Sequence, residues 1–180
     1  MIKKFREIVK SDFAGTVIDI ETIGGFCDQY SDSRRYKDNQ MVILGLIDKH
    51  TLEILCAQGK PSVAELLDKT REIVGQLERP FYAFNSEFER GVFFYNLGLK
   101  IDFDGELQLG RESKAKACKL LSIPNYDDPF FDQGRYCMDA WIKGEFDSAI
   151  AHNRACLLKE RDILLKRGFN KPEELRFVML

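Results

Sequence analysis

Length, composition and charge are those of an ordinary globular chain. The sequence has 180 residues, of which 44% are hydrophobic and 31% are charged. We therefore expect one domain over residues 1–180 with a substantial core. The formal net charge of -2 excludes a globally basic nucleic-acid-binding protein, so any surface of that kind must be a local basic patch.

Cysteine usage and the start of the chain bear on location. Five cysteines are scattered without a Cys-x-x-Cys pair, and there are two histidines, which argues against a zinc site or a disulfide scaffold. Residues 1–10 are charged and helix-like and lack the apolar core of a signal peptide. No apolar run approaches the ~20 residues that a membrane span requires. We expect a cytoplasmic protein without a membrane partner.

Five stretches have the composition of β-strands. In chain order they are residues 17–22, 41–47, 51–56, 81–84 and 99–103, and a long irregular loop covers residues 26–40. Only three residues separate the second and third stretches, which predicts a hairpin. The first three strands are therefore expected to be antiparallel.

Helical periodicity fills the spaces between and after these strands. The predicted helices cover residues 62–78, a segment ending at Gly98, residues 111–121, a short segment around Trp141, and a long final segment from about residue 147 to Gly168. This order predicts an α/β fold of ribonuclease-H-like type, with a central mixed five-stranded sheet flanked by helices.

The first predicted strand carries Asp19 and Glu21 on one face, because alternate strand residues point the same way. Both are ionised at neutral pH, so they repel each other unless a cation lies between them. Oxygen ligands of this kind suit Mg²⁺ or Mn²⁺. The alternative is an edge strand whose polar face meets water, and for the strand taken alone that is the commoner case.

Three motifs in chain order resemble those of the DEDD superfamily of 3′→5′ exonucleases, which have the ribonuclease-H-like fold. Residues 17–22, Val-Ile-Asp-Ile-Glu-Thr, resemble the first motif. Residues 85–89, Asn-Ser-Glu-Phe-Glu, resemble the second motif, Asn-x-x-Phe-Asp, with Glu89 in the acidic position. Residues 152–156, His-Asn-Arg-Ala-Cys, resemble the third, in which Tyr or His precedes an Asp. The resemblance covers about residues 13 to 167.

The resemblance implies a two-metal hydrolase that acts on single-stranded DNA or RNA, or at a 3′ end. Asp19 would bridge two Mg²⁺ or Mn²⁺ ions, Glu21 would hold one of them, and Glu89 would hold the second through water. His152 would position the attacking water. A hydrogen-bonded core histidine is the alternative for His152.

Cys156 departs from the third motif, because it stands where the family has its fourth carboxylate. A thiol is a poor Mg²⁺ ligand, so another acid would have to replace it. Glu160 is the better candidate, since it lies one turn further along the same helix face. Other candidates are Asp127, Asp128, Asp132 and Asp139, although acids at such positions are more often ordinary solvated turn and helix residues. If none replaces it, the chain is a catalytically impaired module that binds nucleic acid or a protein.

Small and polar residues beside these acids are candidates for contacts to sugar or phosphate, although Asn85 could equally cap a helix. They are Thr22, Gly24, Gly25, Asn85 and Asn153. Basic residues at 34–37 and 111–119 could meet a phosphate backbone, but such runs are more often solvated faces. By analogy, aromatic side chains in the 26–36 loop could stack on bases.

Overall fold

The computed structural model describes residues 1–179, which form a six-stranded sheet and five α-helices. The strands are β1 (Ile2–Ile8), β2 (Thr16–Ile23), β3 (Gln40–Ile47), β4 (Thr51–Ala57), β5 (Phe81–Ala83) and β6 (Gly105–Glu106). The helices are α1 (Val63–Val74), α2 (Ser86–Leu97), α3 (Lys114–Leu120), α4 (Gly134–Ile142) and α5 (Phe146–Arg167). Short 3-10 turns occur at Ser33–Tyr36 and Lys60–Ser62.

The sheet is mixed, with the order β1-β4-β3-β2-β5-β6. The pairs β1–β4, β4–β3 and β3–β2 are antiparallel, and β2–β5 and β5–β6 are parallel. The α/β class, and the antiparallel pairing of the strands predicted at 17–22, 41–47 and 51–56, are thus confirmed. Strand β2 lies where the pairing changes from antiparallel to parallel.

The prediction of a helix-like start is wrong, because residues 2–8 form the edge strand β1. Its charged residues favour helix, but its burial alternates with period two. Lys3, Phe5 and Glu7 are half-buried, whereas Lys4 and Arg6 are exposed. Exposed charged side chains on an edge strand discourage pairing with other chains. The sheet therefore has six strands rather than the predicted five.

The fifth predicted strand is also misplaced. Residues 99–103 are irregular, although Ile101 and Phe103 are buried, and the strand that pairs with β5 is Gly105–Glu106. The alternating apolar residues here arise because a loop packs against the core, not because the segment pairs with a strand. Pattern alone cannot separate these two cases.

The long helix α5 packs against the middle of the sheet. It places His152 and Asn153 of the third motif beside the acids of β2. Close approach depends on Gly45 in β3, opposite Asp19 of β2. A Cβ atom at Gly45 would lie 2.1 Å from Asn153 Oδ1 and 2.9 Å from Leu157 Cδ1. A glycine is required there for the helix to reach the strand that carries the acids.

The helices of residues 1–179 include none that combines the length and the apolar character needed to cross a membrane.

Candidate active site

A cleft of about 450 Å³ opens beside the central strand β2. Asp19 and Glu21 reach it from β2, Glu89 from the first turns of α2, and His152 from α5. These residues are far apart in the chain, and the fold brings them together. All four residues predicted as catalytic thus line the same cleft.

Asp19 is held in place by a neighbour on α5. Asn153 donates a hydrogen bond from Nδ2 to Asp19 Oδ2 at 2.7 Å, and Asn153 is fully buried. The sequence predicted a substrate contact for Asn153, whereas its side chain is directed at the carboxylate of Asp19. It is therefore placed to fix the orientation of that carboxylate.

The fourth acid beside Asp19 is Glu160, which is fully buried beneath the cleft. A lysine lies between the two carboxylates: Lys114 Nζ, from the start of α3, is 3.2 Å from Asp19 Oδ1 and 2.5 Å from Glu160 Oε1. Among residues 1–179, Glu89 Oε2 and both carboxylate oxygens of Glu160 have no aligned hydrogen-bond partner. The contact of Lys114 with Glu160 is accordingly an ion pair without hydrogen-bond geometry.

Burial and neighbouring charges shift the pKa values of Glu89, Lys114 and Glu160 in the cluster that these residues form with Asp19. Burial raises the pKa of Glu89 and of Glu160 well above the usual value, and the negative charge of Asp19 adds to the rise in both. Burial opposes the charge on Lys114, but the facing Asp19 and Glu160 outweigh it, so the pKa of Lys114 rises. The cluster therefore holds acids that burial drives toward their neutral forms, together with a lysine that stays positively charged.

His152 lies at the other end of the cleft among three partners. Its Nδ1 is 2.7 Å from Asp128 Oδ1, and its Nε2 is 3.6 Å from Glu21 Oε1 and 3.7 Å from Cys156 Sγ. Burial alone would lower the pKa of His152, but Cys156, Glu21 and the hydrogen bond to Asp128 raise it. Burial raises the pKa of Glu21 to about 7. His152 is thus a hydrogen-bonded, buried histidine that also faces the cleft.

The acidic loop before α4 is already neutralised by a buried lysine. Lys159, with a side chain 1% exposed, donates to Asp128 Oδ2 at 2.9 Å and to Asp132 Oδ1 at 2.7 Å. Asp127 is exposed, and Asp139 lies half-buried on α4. Of the acids considered as replacements for the carboxylate missing at Cys156, Glu160 is the one beside Asp19.

A second cavity of about 320 Å³ adjoins the first and is lined by Thr22, Gly24 and Gly25. Gly24 has φ +108°, and a Cβ atom there would lie 2.0 Å from the Asp38 carbonyl oxygen, so the backbone itself requires glycine. Asn85 is exposed at the lip of the first cleft, where it precedes α2. Thr22, Gly24 and Gly25 therefore line the second cavity together with Glu21, and Asn85 lines the first.

An aromatic wall completes the cleft. The rings of Phe26, Tyr36 and Phe88 pack edge to face, with each pair of centroids 5.9 Å apart. The Arg35 guanidinium lies 5.2 Å from the centre of the Phe26 ring, and Phe26 is 52% exposed. The predicted basic stretch at 34–37 therefore reaches the cleft through Arg35, and the stretch at 111–119 reaches it through Lys114.

Sequence reasoning missed the positions of Lys114 and Lys159 in the site. Lys114 was grouped with lysines displayed along a helix surface, yet it contacts a residue 95 positions away. The burial of Lys159 was weakly indicated by the sequence, because apolar residues precede it in the predicted helix. A lysine on the buried face of a helix implies an acidic partner.

The fold and the cleft define an α/β domain whose central strand carries acidic residues into a partly aromatic, partly basic cavity. Comparison of the chain with protein-family models, with curated proteins and with solved structures found no match. The chemistry of the cleft is therefore the basis on which a function can be proposed.

Proposed function

We propose that this chain is a metal-dependent nuclease with a ribonuclease-H-like fold, acting as a 3′→5′ exonuclease on single-stranded DNA or RNA. The observation that carries the proposal is that Asp19, Glu21 and Glu89 line one cleft, and that Glu160 is buried beneath it and linked to Asp19 through Lys114. Apart from the added edge strand β1, an antiparallel trio of strands, β4, β3 and β2, followed by the parallel strands β5 and β6 agrees with that fold. The three motifs resembling those of DEDD exonucleases supply Asp19, Glu21, Glu89 and His152, and Glu160 follows one turn after the third motif.

The donor set fits Mg²⁺ or Mn²⁺, which take oxygen ligands. Within residues 1–179, the buried carboxylate oxygens without a hydrogen-bond partner are Glu89 Oε2 and both oxygens of Glu160. Buried acids without donors are costly unless a cation or a proton compensates them. Glu160 would take the part that the third motif assigns to its aspartate, and Lys114 would have to withdraw from the space between Glu160 and Asp19.

Divalent cations held by these carboxylates would activate a water and stabilise the leaving 3′ oxygen in phosphodiester hydrolysis. The chain's own groups have supporting parts. Asn153 keeps the Asp19 carboxylate oriented by its 2.7 Å hydrogen bond. His152 stands beside Glu21, where it can position the attacking water. The aromatic and guanidinium groups of Phe26 and Arg35 offer a face for a base and a charge for a phosphate.

The test is digestion of a 5′-labelled single strand by purified protein with Mg²⁺ or Mn²⁺. We expect shortening from the 3′ end, and loss of that shortening in Asp19→Asn. Asp12→Asn is the matched control, because Asp12 is exposed and should leave the ladder unchanged. The proposal fails if the wild-type protein leaves DNA and RNA intact with both metals, or if Asp19→Asn digests them equally well.

One observation favours a second candidate, a catalytically impaired module that binds nucleic acid or a protein. Lys114 already supplies a positive charge between Asp19 and Glu160, so the cluster is partly neutral without metal. Cys156→Asp separates the candidates. If that variant cleaves while the parent is silent, the parent is the impaired form. If the parent cleaves, the impaired form is refuted.

A further inference from the structure

Folding brings three different kinds of metal ligand together at one end of the cleft. His152 and Cys156 lie four residues apart on α5 and share a face, and Glu21 reaches them from β2. One ligand atom from each of the three residues lies within 4.8 Å of the other two. His152 and Cys156 are buried, and the Glu21 side chain is 12% exposed.

The distances suit a single small ion. Ligand atoms at ~2.0–2.3 Å from a tetrahedral metal are separated from each other by about 3.3–3.8 Å. His152 Nε2 lies 3.6 Å from Glu21 Oε1 and 3.7 Å from Cys156 Sγ. The ligand atoms of Glu21 and Cys156 lie within 4.8 Å of each other, so these two side chains have to draw closer for all three donors to hold one ion.

The imidazole is already oriented as a metal ligand requires. Its Nδ1 meets Asp128 Oδ1 at 2.7 Å, which directs Nε2 toward Glu21 and Cys156. Asp128 is itself fixed by the Phe130 backbone N–H at 2.9 Å and by Lys159 at 2.9 Å. A carboxylate behind the histidine is the usual outer partner in zinc sites.

The neighbouring cluster of Asp128, Asp132 and Cys156 is less able to bind a metal ion. Its two aspartates already share the ammonium group of Lys159, at 2.9 and 2.7 Å. A cation would have to displace that buried lysine.

We propose that Glu21, His152 and Cys156 form a site for one transition-metal ion of the Zn²⁺ or Co²⁺ class. Nitrogen and thiolate donors select such ions over Mg²⁺. Three protein ligands leave a fourth position, and all three residues line the cleft, as in catalytic rather than structural sites. On binding, the Cys156 thiol and any proton on His152 Nε2 are released to solvent. With this ion bound, Glu21 and His152 would serve as its ligands rather than in the roles proposed for nuclease catalysis, so the site is tested by metal binding and not by cleavage.

Metal titration in the absence of nucleic acid tests this proposal. Co²⁺ added to the metal-free chain should produce a thiolate-to-cobalt charge-transfer absorption that saturates at one ion, and Zn²⁺ should remove it. Cys156→Ser should abolish the absorption and weaken Zn²⁺ binding at least tenfold. Cys27→Ser is the control, since Cys27 is half-exposed and bonded to Asp38 elsewhere in the structure. It should retain both properties.

Two further variants keep the result interpretable. Cys156→Asp, checked for folding by circular dichroism, should lose the absorption and shift preference toward Mn²⁺. Asp128→Asn should keep the absorption at saturating Co²⁺ but weaken Zn²⁺ binding about 10–100-fold, the usual cost of losing an outer partner. The proposal is overturned if the folded wild-type chain gives no charge-transfer absorption, or if Cys156→Ser gives the same absorption.

Discussion

Replacing Lys114 by methionine removes the positive charge between Asp19 and Glu160 while keeping most of the side-chain volume. Glu160 is fully buried and the Lys114 side chain is 15% exposed. Without the ammonium group, the two acids face each other with no cation. We expect the metal-free variant to be less stable than the wild type and to bind divalent cations more tightly.

The expected magnitude follows from burial. Removing one partner of a buried ion pair costs about 3–5 kcal/mol, because the remaining charge is left uncompensated. Lys114 is partly exposed, and burial already drives Glu160 toward its neutral form, so this case lies near the lower end, at about 3 kcal/mol. For a chain of this size each kcal/mol lowers Tm by ~2–4 °C, so the loss should be about 6–12 °C.

Thermal unfolding with a chelator, and then with excess Mn²⁺, measures both effects. Lys119→Met is the matched control, because Lys119 lies on the same helix and is exposed. We expect Mn²⁺ to restore most of the lost Tm in Lys114→Met and to change the control as it changes the wild type. A Lys114→Met Tm equal to that of Lys119→Met in the chelator, or no recovery with Mn²⁺, would refute this account of the ion pair.

Two further predictions concern the support and the titration of the site. Gly45→Ala places a Cβ atom 2.1 Å from Asn153 Oδ1, so unfolding measurements should show a loss of about 1–3 kcal/mol. Calorimetry should show weaker Mn²⁺ binding because Asp19 loses its donor. Gly75→Ala should cause neither change, because the atoms nearest to the added Cβ would lie 3.8 Å or more away. Because burial raises the pKa of Glu21 from 4.5 to about 7, the folded state binds this proton more tightly than the unfolded state. Its contribution to stability is therefore full below pH ~4.5 and lost by pH ~7, while Mn²⁺ affinity should rise over the same interval. A metal-free Tm that rises across this interval, with Mn²⁺ affinity unchanged, would contradict this assignment.

The central strand could be predicted because its pattern is local. Val17 and Ile18 are fully buried, and the spacing of Asp19 and Glu21 depends only on strand geometry. Glu160 could be predicted for a similar reason, since helix periodicity places it one turn beyond Cys156 on the same face. Both inferences need no knowledge of distant parts of the chain.

The remaining features depend on contacts that no local pattern encodes. Lys114 contacts Asp19 across 95 positions, and β1 exists because it pairs with β4, not because its residues favour strand. The scattered cysteines and two histidines argued against a zinc site, yet folding sets Cys156 and His152 beside Glu21. Ligand spacing along a chain detects a site only when the ligands are close in sequence.

The central claim is that the acids around Asp19 hold divalent cations, with Glu160 in place of the missing aspartate. A crystal soaked in Mn²⁺ and measured at the manganese absorption edge tests it most directly. We predict anomalous density in contact with the carboxylates of Asp19 and Glu160, with Lys114 Nζ moved out of its present position 3.2 Å from Asp19 Oδ1. Absence of density at Asp19, with Lys114 still between Asp19 and Glu160, would contradict the claim.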